Sequence, residues 1–195
     1  MITATISRKT KETDISIQLN LDGSRQYAIK TPIGFLNHML ESFAKHGLFD
    51  LTLSASGDLQ VDQHHLVEDC GLALGEAFKQ ALGDKKGINR AGYFVYPMDE
   101  ALAIVALDFG GRTYLQFEAK FKERLCGELD TGVVEDFFQG FAQGAACTAA
   151  VSIPKGRSDH HMLEAAFKGF AKAAKMACST DARAMGSLPS TKGVI

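Results

Sequence analysis

The sequence predicts an α+β fold that is built twice, each half being a small mixed sheet packed by two helices. Some segments alternate apolar and polar residues with a period of two, whereas others carry apolar residues at helical spacing. The motif His-His-x-x-Glu occurs at residues 64–68 and again at 160–164, about half a chain length later. Because each copy opens a long helical segment, we expect two similar halves, residues 1–90 and 91–195.

The first half is predicted to run in the order strand, strand, helix, strand, helix. The strands fall at residues 2–6, 14–21 and 50–56, and the helices at residues 35–46 and 62–82. The segment 21–24, Leu-Asp-Gly-Ser, has the composition of a turn and follows the second strand. Glycine follows both predicted helices, at Gly47 and Gly83, as is typical of helix ends.

The second half is predicted to contain three longer strands and two helices, with a short strand between the helices. The strands fall at residues 92–97, 101–109 and 113–121, and the helices at residues 131–147 and 159–178. The tail at 187–193 is rich in small polar residues and is predicted to be a loop.

Composition excludes several classes of partner. Of the 195 residues, 46% are hydrophobic and 23% are charged, an ordinary globular balance. The net charge is −2 without a basic block, so no nucleic-acid or membrane partner is expected. No apolar run approaches a membrane span, and Met1–Ile17 lacks the apolar core of a signal peptide. The four cysteines form no Cys-x-x-Cys pair, which favours a reduced, cytoplasmic protein.

The two His-His-x-x-Glu motifs, here called the first and second doublets, predict metal sites. At 100° per residue, the first histidine and the glutamate lie on one helix face, away from the apolar stripe. Imidazole and carboxylate together are ligands for Zn, Mn, Fe or Ni. Adjacent histidines point in different directions, so each doublet can serve two ions. Two other interpretations stay open. The histidines could simply hydrogen-bond to the backbone at the helix start, or they could form a hydrolytic two-metal site. His38, taken alone, is typical of a surface or capping group.

Several cations are candidates for an anion site. Arg90 follows a glycine-rich loop, Arg112 follows Gly110-Gly111, and Lys192 lies in the tail. Arginine forks, lysine charges and small hydroxyl residues are the usual groups around a phosphate. Lys168 lies four residues past Glu164, so we expect it to project from the same helix face.

Six motifs, in order along nearly the whole chain, resemble the imidazoleglycerol-phosphate dehydratase family. They are Thr10-Lys11-Glu12-Thr13, the segment 35–47 around Phe-Leu-Asn-His-Met-Leu, the two doublets with Met98-Asp99-Glu100 between them, and Pro189-Ser190-Thr191-Lys192-Gly193. The resemblance implies a duplicated α+β fold of the ribosomal protein S5 domain 2-like type. It also implies dehydration of imidazole glycerol phosphate to imidazole acetol phosphate in histidine biosynthesis. The resemblance further implies an assembly of 24 subunits, with two Mn²⁺ ions per subunit bound at the subunit interfaces.

The resemblance also assigns roles to individual residues. It implies metal ligation by His38, His64, His65, Glu68, His160, His161 and Glu164. Glu12 matches the family's acid/base carboxylate, and the doublet residues His64, Glu68, His160 and Glu164 belong to the same catalytic centre. The implied substrate- and phosphate-binding residues are Arg90, Arg112, Lys168, Ser190, Thr191 and Lys192.

One departure from the family pattern affects the metal site. Ala150 stands where the family usually has a histidine ligand. We therefore expect one of the two ions to be held loosely. A two-metal hydrolase and a metal-dependent assembly or storage protein are the alternative functions. The cationic residues argue against the storage role, because a structural metal needs no cationic pocket.

Overall fold

The computed structural model describes residues 2–195, and its elements repeat in the two halves. The first half contains β1 (Thr3–Lys9), β2 (Thr13–Asn20), β3 (Tyr27–Lys30), α1 (Gly34–Gly47), β4 (Asp50–Gly57) and α2 (His64–Leu82). The second half contains β5 (Ala91–Met98), β6 (Ala101–Asp108), β7 (Tyr114–Glu118), β8 (Leu125–Cys126), β9 (Leu129–Asp130), α3 (Val134–Ala145), β10 (Thr148–Lys155) and α4 (Asp159–Cys178). Apart from the small β8–β9 hairpin, the order of strands and helices is the same in both halves.

The two main sheets have equivalent topology, which confirms the predicted duplication. The first has the strand order β1-β2-β4-β3 and the second β5-β6-β10-β7. In each, the last pair is parallel and the others are antiparallel. The helices cover one face of each sheet, and α1 meets α4 while α2 meets α3 across the middle. One hydrophobic core therefore runs through both halves. The predicted domain boundary at residue 90 stays a prediction.

The structure corrects several predicted boundaries. β1 reaches Lys9, and β7 stops at Glu118 rather than at 121. The helix predicted at 131–147 is shorter, because a 3₁₀ turn occupies Thr131–Val133 and Ala146 takes a left-handed conformation at φ 48°. The strand β3 and the β8–β9 hairpin were not predicted, since four or two residues are too few for a visible alternation.

The outer faces of the two sheets differ in chemistry. The first sheet exposes Thr, Ser and Gln side chains, among them Thr5, Gln18 and Thr52. The second exposes large apolar side chains: Tyr93, Val95, Ile104 and Tyr114. No helix among residues 2–195 combines the length and the apolar character that crossing a membrane requires.

Candidate metal and substrate site

The second doublet lies at the start of α4, where it meets α1. Ser158 caps this helix, its Oγ accepting a hydrogen bond from the backbone N–H of His161 at 3.4 Å. His160 Nε2 lies 3.2 Å from Glu164 Oε2, and His38 Nε2 approaches the same oxygen to 3.8 Å. The three side chains offer donor atoms within 4.8 Å of one another. The structure thus brings His38, predicted from the resemblance, beside the second doublet.

Glu164 is buried, and the prediction that it faces away from the core was wrong. Its relative exposure is 8%, because α1 crosses α4 at this point and covers it. Lys168, one turn further along α4, donates a hydrogen bond from Nζ to Glu164 Oε1 at 2.7 Å. Burial alone would raise the pKa of Glu164, but the hydrogen bond and charge of Lys168 outweigh it and lower that pKa.

The second histidine of this doublet is held by the turn between β5 and β6. His161 Nδ1 lies 2.9 Å from Glu100 Oε2, and its Nε2 lies 3.8 Å from Asp99 Oδ2. Glu100 also accepts hydrogen bonds from the backbone N–H groups of Arg157 and Ser158. The bond to His161, followed by these backbone bonds, lowers the pKa of Glu100 to about 2. Glu100 in turn raises the pKa of His161.

The first doublet lies at the start of α2, beside α3. His64 Nδ1 lies 3.1 Å from Asp136 Oδ2 on α3, and its Nε2 lies 3.8 Å from Glu68 Oε2. The Glu68 side chain is 41% exposed, as predicted for a residue facing away from the core. Asp62 Oδ1 accepts a hydrogen bond from the backbone N–H of His64 and so stabilises the helix start.

His65 faces the turn between β1 and β2. Its Nδ1 lies 3.2 Å from both carboxylate oxygens of Asp58 and 4.0 Å from Glu12 Oε2. The hydrogen bond with Asp58 is the largest cause that raises the pKa of His65. The structure therefore places Glu12 beside the first doublet, on a turn equivalent to the one that carries Glu100.

Three carboxylates at the doublets were missed as site residues: Asp58, Asp136 and Glu100. Each contacts the Nδ1 atom of a doublet histidine. Asp136 and Glu100 lie far in sequence from the histidines that they contact, so no spacing pattern predicts these contacts. Glu100 lies within one of the motifs that carry the resemblance, which was the available signal. By holding Nδ1, these carboxylates orient the rings and leave Nε2 for a ligand.

Apart from Lys168, the predicted cations Arg90, Arg112 and Lys192 gather at the other end of the molecule, where α2 and α4 end. Arg90 forms a bidentate ion pair with Asp108 at 2.6 and 2.8 Å, and its Nη1 donates to the backbone oxygen of Pro189 at 2.8 Å. The tail folds over this point: Ser190 Oγ donates to Val194 O at 2.8 Å, and Ile195 packs against Gly111. Arg112 follows Gly111 directly, and Thr191 and Lys192 are exposed in the tail.

Within one chain, the cations are far from the doublets. The backbone N–H of Arg90 bonds to the carbonyl of Ala177 near the end of α4, whereas His160 lies at its start. At 1.5 Å per residue, this part of the helix spans about 25 Å. A small phosphorylated imidazole cannot bridge that distance.

Ala150 also lies away from the second doublet. On β10 the buried Ala149 and Val151 face the helices, so Ala150 points to the outer face of the second sheet. A histidine at this position would serve only a site shared with another copy of the chain.

The residues at the doublets fit divalent transition metals. His38, His160 and Glu164 form one group of converging donors, and Asp99, Glu100 and His161 form another. Nitrogen and oxygen donors of this kind suit Mn, Fe or Zn. The side chains of the doublet histidines are 30–49% exposed, so their rings are accessible to a ligand.

Comparisons with known proteins agree along the whole chain. The family model for imidazoleglycerol-phosphate dehydratase matches residues 31–174. The dehydratase of Koribacter versatilis is 53% identical over 98% of both chains, and that of Methanocella arvoryzae is 50% identical over the full length of both. The crystal structure of the Staphylococcus aureus enzyme matches with a TM-score of 0.82 at 35% identity, over 92% of this chain and 99% of that one. The Pyrococcus furiosus enzyme, solved in complex with (S)-C348, matches with a TM-score of 0.84 at 34% identity, over 97% and 100%. The chain therefore belongs to the imidazoleglycerol-phosphate dehydratase family of hydro-lyases.

Proposed function

We propose that this protein dehydrates imidazole glycerol phosphate to imidazole acetol phosphate in histidine biosynthesis, with Mn²⁺ as its cofactor. The observation that carries the proposal is the pair of imidazole and carboxylate clusters in a chain that matches dehydratases from end to end. The reaction removes a proton from one carbon and hydroxide from its neighbour, and the resulting enol becomes the ketone. The alternatives, a hydrolase or a storage protein, have no observation of their own in their favour.

Two Mn²⁺ ions per subunit would be held by the doublets together with His38. The ligands would be His38, His64, His65, Glu68, His160, His161 and Glu164. Bound ions would supply positive charge to the imidazole ring of the substrate as electrons move into it. Because Ala150 offers no donor, we expect one ion to dissociate more readily than the other.

Glu12 would move the protons. Its side chain is 54% exposed and accepts no hydrogen bond from residues 2–195, so its lone pairs are free for substrate. It lies beside His65, which ties it to the metal-binding end of α2. A carboxylate in this position can take the proton from carbon and return one to the leaving hydroxyl. Lys168, beside Glu164, would contact the polar part of the substrate.

The substrate phosphate would bind to the cation end of a second copy of the chain, which would lie against the doublets of the first copy. This part of the proposal rests on the separation of about 25 Å between the cations and the doublets along α4. The phosphate ligands would be Arg90, Arg112, Ser190, Thr191 and Lys192. The exposed apolar face of the second sheet supports association of copies. We therefore propose a homo-oligomer, for which the family resemblance implies 24 subunits. We also propose that it lies in the cytoplasm, where the four free cysteines would stay reduced.

The reaction is tested by incubating the protein with imidazole glycerol phosphate, with and without Mn²⁺. Formation of the ketone and of free phosphate are measured in the same samples. We expect ketone only when metal is present and no free phosphate. Phosphate release without ketone would identify a hydrolase, and the absence of both products in the metal-loaded protein would favour the storage role.

The shared site is tested by mixing two variants that are each inactive. Glu12→Gln disables the doublet end, and Arg112→Ala disables the cation end. After dissociation, mixing and reassembly with Mn²⁺, about a quarter of wild-type activity should return, because random mixing gives one site in four both intact parts. No recovery in a correctly assembled mixture would mean that each site belongs to one chain.

A further inference from the structure

A buried carboxylate ties the turn that carries Glu12 to the helix that carries the first doublet. Asp69 on α2 has a side chain only 11% exposed. Its Oδ2 accepts a hydrogen bond from Thr13 Oγ1 at 2.5 Å, and its Oδ1 accepts one from Arg8 Nε at 2.9 Å. Arg8 lies in β1 and Thr13 begins β2, so the two partners flank the turn on both sides.

The backbone of this turn is fixed as well. Thr10 Oγ1 accepts hydrogen bonds from the backbone N–H groups of Glu12 and Thr13, at 3.0 and 2.9 Å. The carbonyl of Glu12 accepts a hydrogen bond from the backbone N–H of Asp58 at 3.1 Å. The main chain of Glu12 is therefore held on both sides, whereas its carboxylate stays free.

The equivalent turn of the second half is held differently. There the glutamate itself, Glu100, bonds to His161 and to the start of α4. Ala101 begins β6 where Thr13 begins β2, and Ala165 follows Glu164 as Asp69 follows Glu68. The second turn thus uses its carboxylate as the anchor, and the first turn keeps its carboxylate free by using Asp69 instead.

We propose that Asp69, acting through Thr13, is a positioning residue for Glu12. The inference rests on the proposed role of Glu12 in proton transfer. Since α2 also carries His64, His65 and Glu68, the tie fixes the distance between the proton-transferring carboxylate and the ligands of the metal. Loss of the tie should leave substrate and metal binding intact and slow the chemical step, because a small misplacement of a reacting group is costly.

The test compares two substitutions of one residue. Thr13→Val keeps the shape but removes the hydroxyl that bonds to Asp69, whereas Thr13→Ser keeps the hydroxyl. We expect Thr13→Val and Asp69→Asn to lower kcat about 10- to 100-fold, with KM and the affinity for Mn²⁺ within about twofold of wild type. Thr13→Ser should retain most of the activity. Thr5→Val, on the exposed face of β1, controls for the change in strand propensity.

Glu12→Gln separates this inference from the function on which it rests. If Glu12→Gln has a normal kcat, Glu12 does not transfer the proton and the proposed mechanism fails. If Glu12→Gln is slow but Thr13→Val is normal, the positioning role of Asp69 is wrong. In the Glu12→Gln background, Thr13→Val should cause no further loss, whereas an undiminished further loss would indicate a general disturbance of the site.

Discussion

The helix pairs α2–α3 and α1–α4 are equivalent by the duplication, since each joins the first helix of one half to the second helix of the other. They nevertheless meet through different residues. Four glycines line the α2–α3 contact: Gly71, Gly75, Gly140 and Gly144. A Cβ placed on Gly71 would lie 2.0 Å from the carbonyl oxygen of Phe137, so the two backbones are in contact. In α1–α4 the contact is made by side chains, with Phe43 stacked on Phe170 at 4.6 Å between ring centroids.

This difference changes the surroundings of the two doublets. Because side chains rather than glycines lie between α1 and α4, His38 and Lys168 fit around Glu164, whose carboxylate is buried and ion-paired. In the first half Leu72 stands where Lys168 stands in the second, and Glu68 remains half-exposed. The duplicated motif therefore places the same metal-binding residue types in both halves. The packing of the helices determines how strongly the glutamate of each motif is desolvated.

The largest effect should follow from filling the close contact between α2 and α3. A Cβ on Gly75 would lie 2.3 Å from the carbonyl oxygen of Phe141, so Gly75→Ala must push the helices apart. We expect a loss of about 3 kcal/mol in the free energy of unfolding, measured by urea denaturation of the metal-free protein.

Gly169→Ala is the matched control on α4. Its Cβ would lie 3.2 Å from a methyl group of Val105 and 3.5 Å from the Cβ of Tyr96, which are side-chain rather than backbone atoms. Alanine also favours a helix by about 1 kcal/mol over glycine. A stability change within about 1 kcal/mol is therefore expected. Equal losses at Gly75 and Gly169 would mean that the loss at Gly75 does not come from the backbone contact between α2 and α3.

The next effect should follow from breaking the buried ion pair of the α1–α4 region. Lys168→Met keeps the apolar stem but leaves Glu164 buried without its cation. Removing one partner of a buried pair should cost about 3 kcal/mol, again measured by urea denaturation. Glu68→Gln is the control in the first half, where an exposed carboxylate should change stability by less than about 0.5 kcal/mol. A Lys168→Met variant as stable as wild type would mean that Glu164 is not desolvated.

Local patterns in the sequence predicted the elements well because the periods of helix and strand are visible within one segment. The doublets, placed at the starts of α2 and α4, were found in this way. Burial of Glu164 was not predictable, since it depends on α1, which lies far away in sequence. The helical wheel reported only which face of α4 the residue occupies and not what covers that face.

The partners of the doublet histidines show the same limit. Asp136 reaches His64 because α3 packs on α2 through glycines, and no spacing rule links the two residues. The separation of the cations from the doublets was likewise hidden, because it depends on the contact between Arg90 and Ala177 at the end of α4. Ala150 could be recognised as a departure in the sequence, but its outward direction required the register of β10.

The smallest effect should be a pH dependence that belongs to the α1–α4 pair. His46, near the end of α1, has its pKa lowered first by burial and then by the charges of Lys168, Lys172 and Lys45, while Glu164 acts in the opposite direction. The unfolded chain has the ordinary histidine pKa of about 6.5. Between the lowered pKa and that value the unfolded state binds more protons, so stability falls as the pH falls below about 6.5.

His46→Gln should remove this part of the acid sensitivity. The measurement is urea denaturation of both proteins between about pH 8 and pH 5, and the difference between the two curves isolates His46 from the doublet histidines. We expect the stability of wild type relative to the variant to decline as the pH falls. A difference that grows in favour of wild type at low pH would mean that His46 gains an acidic partner on folding. α3, the counterpart of α1, contains no histidine, so the α2–α3 pair has no residue equivalent to His46.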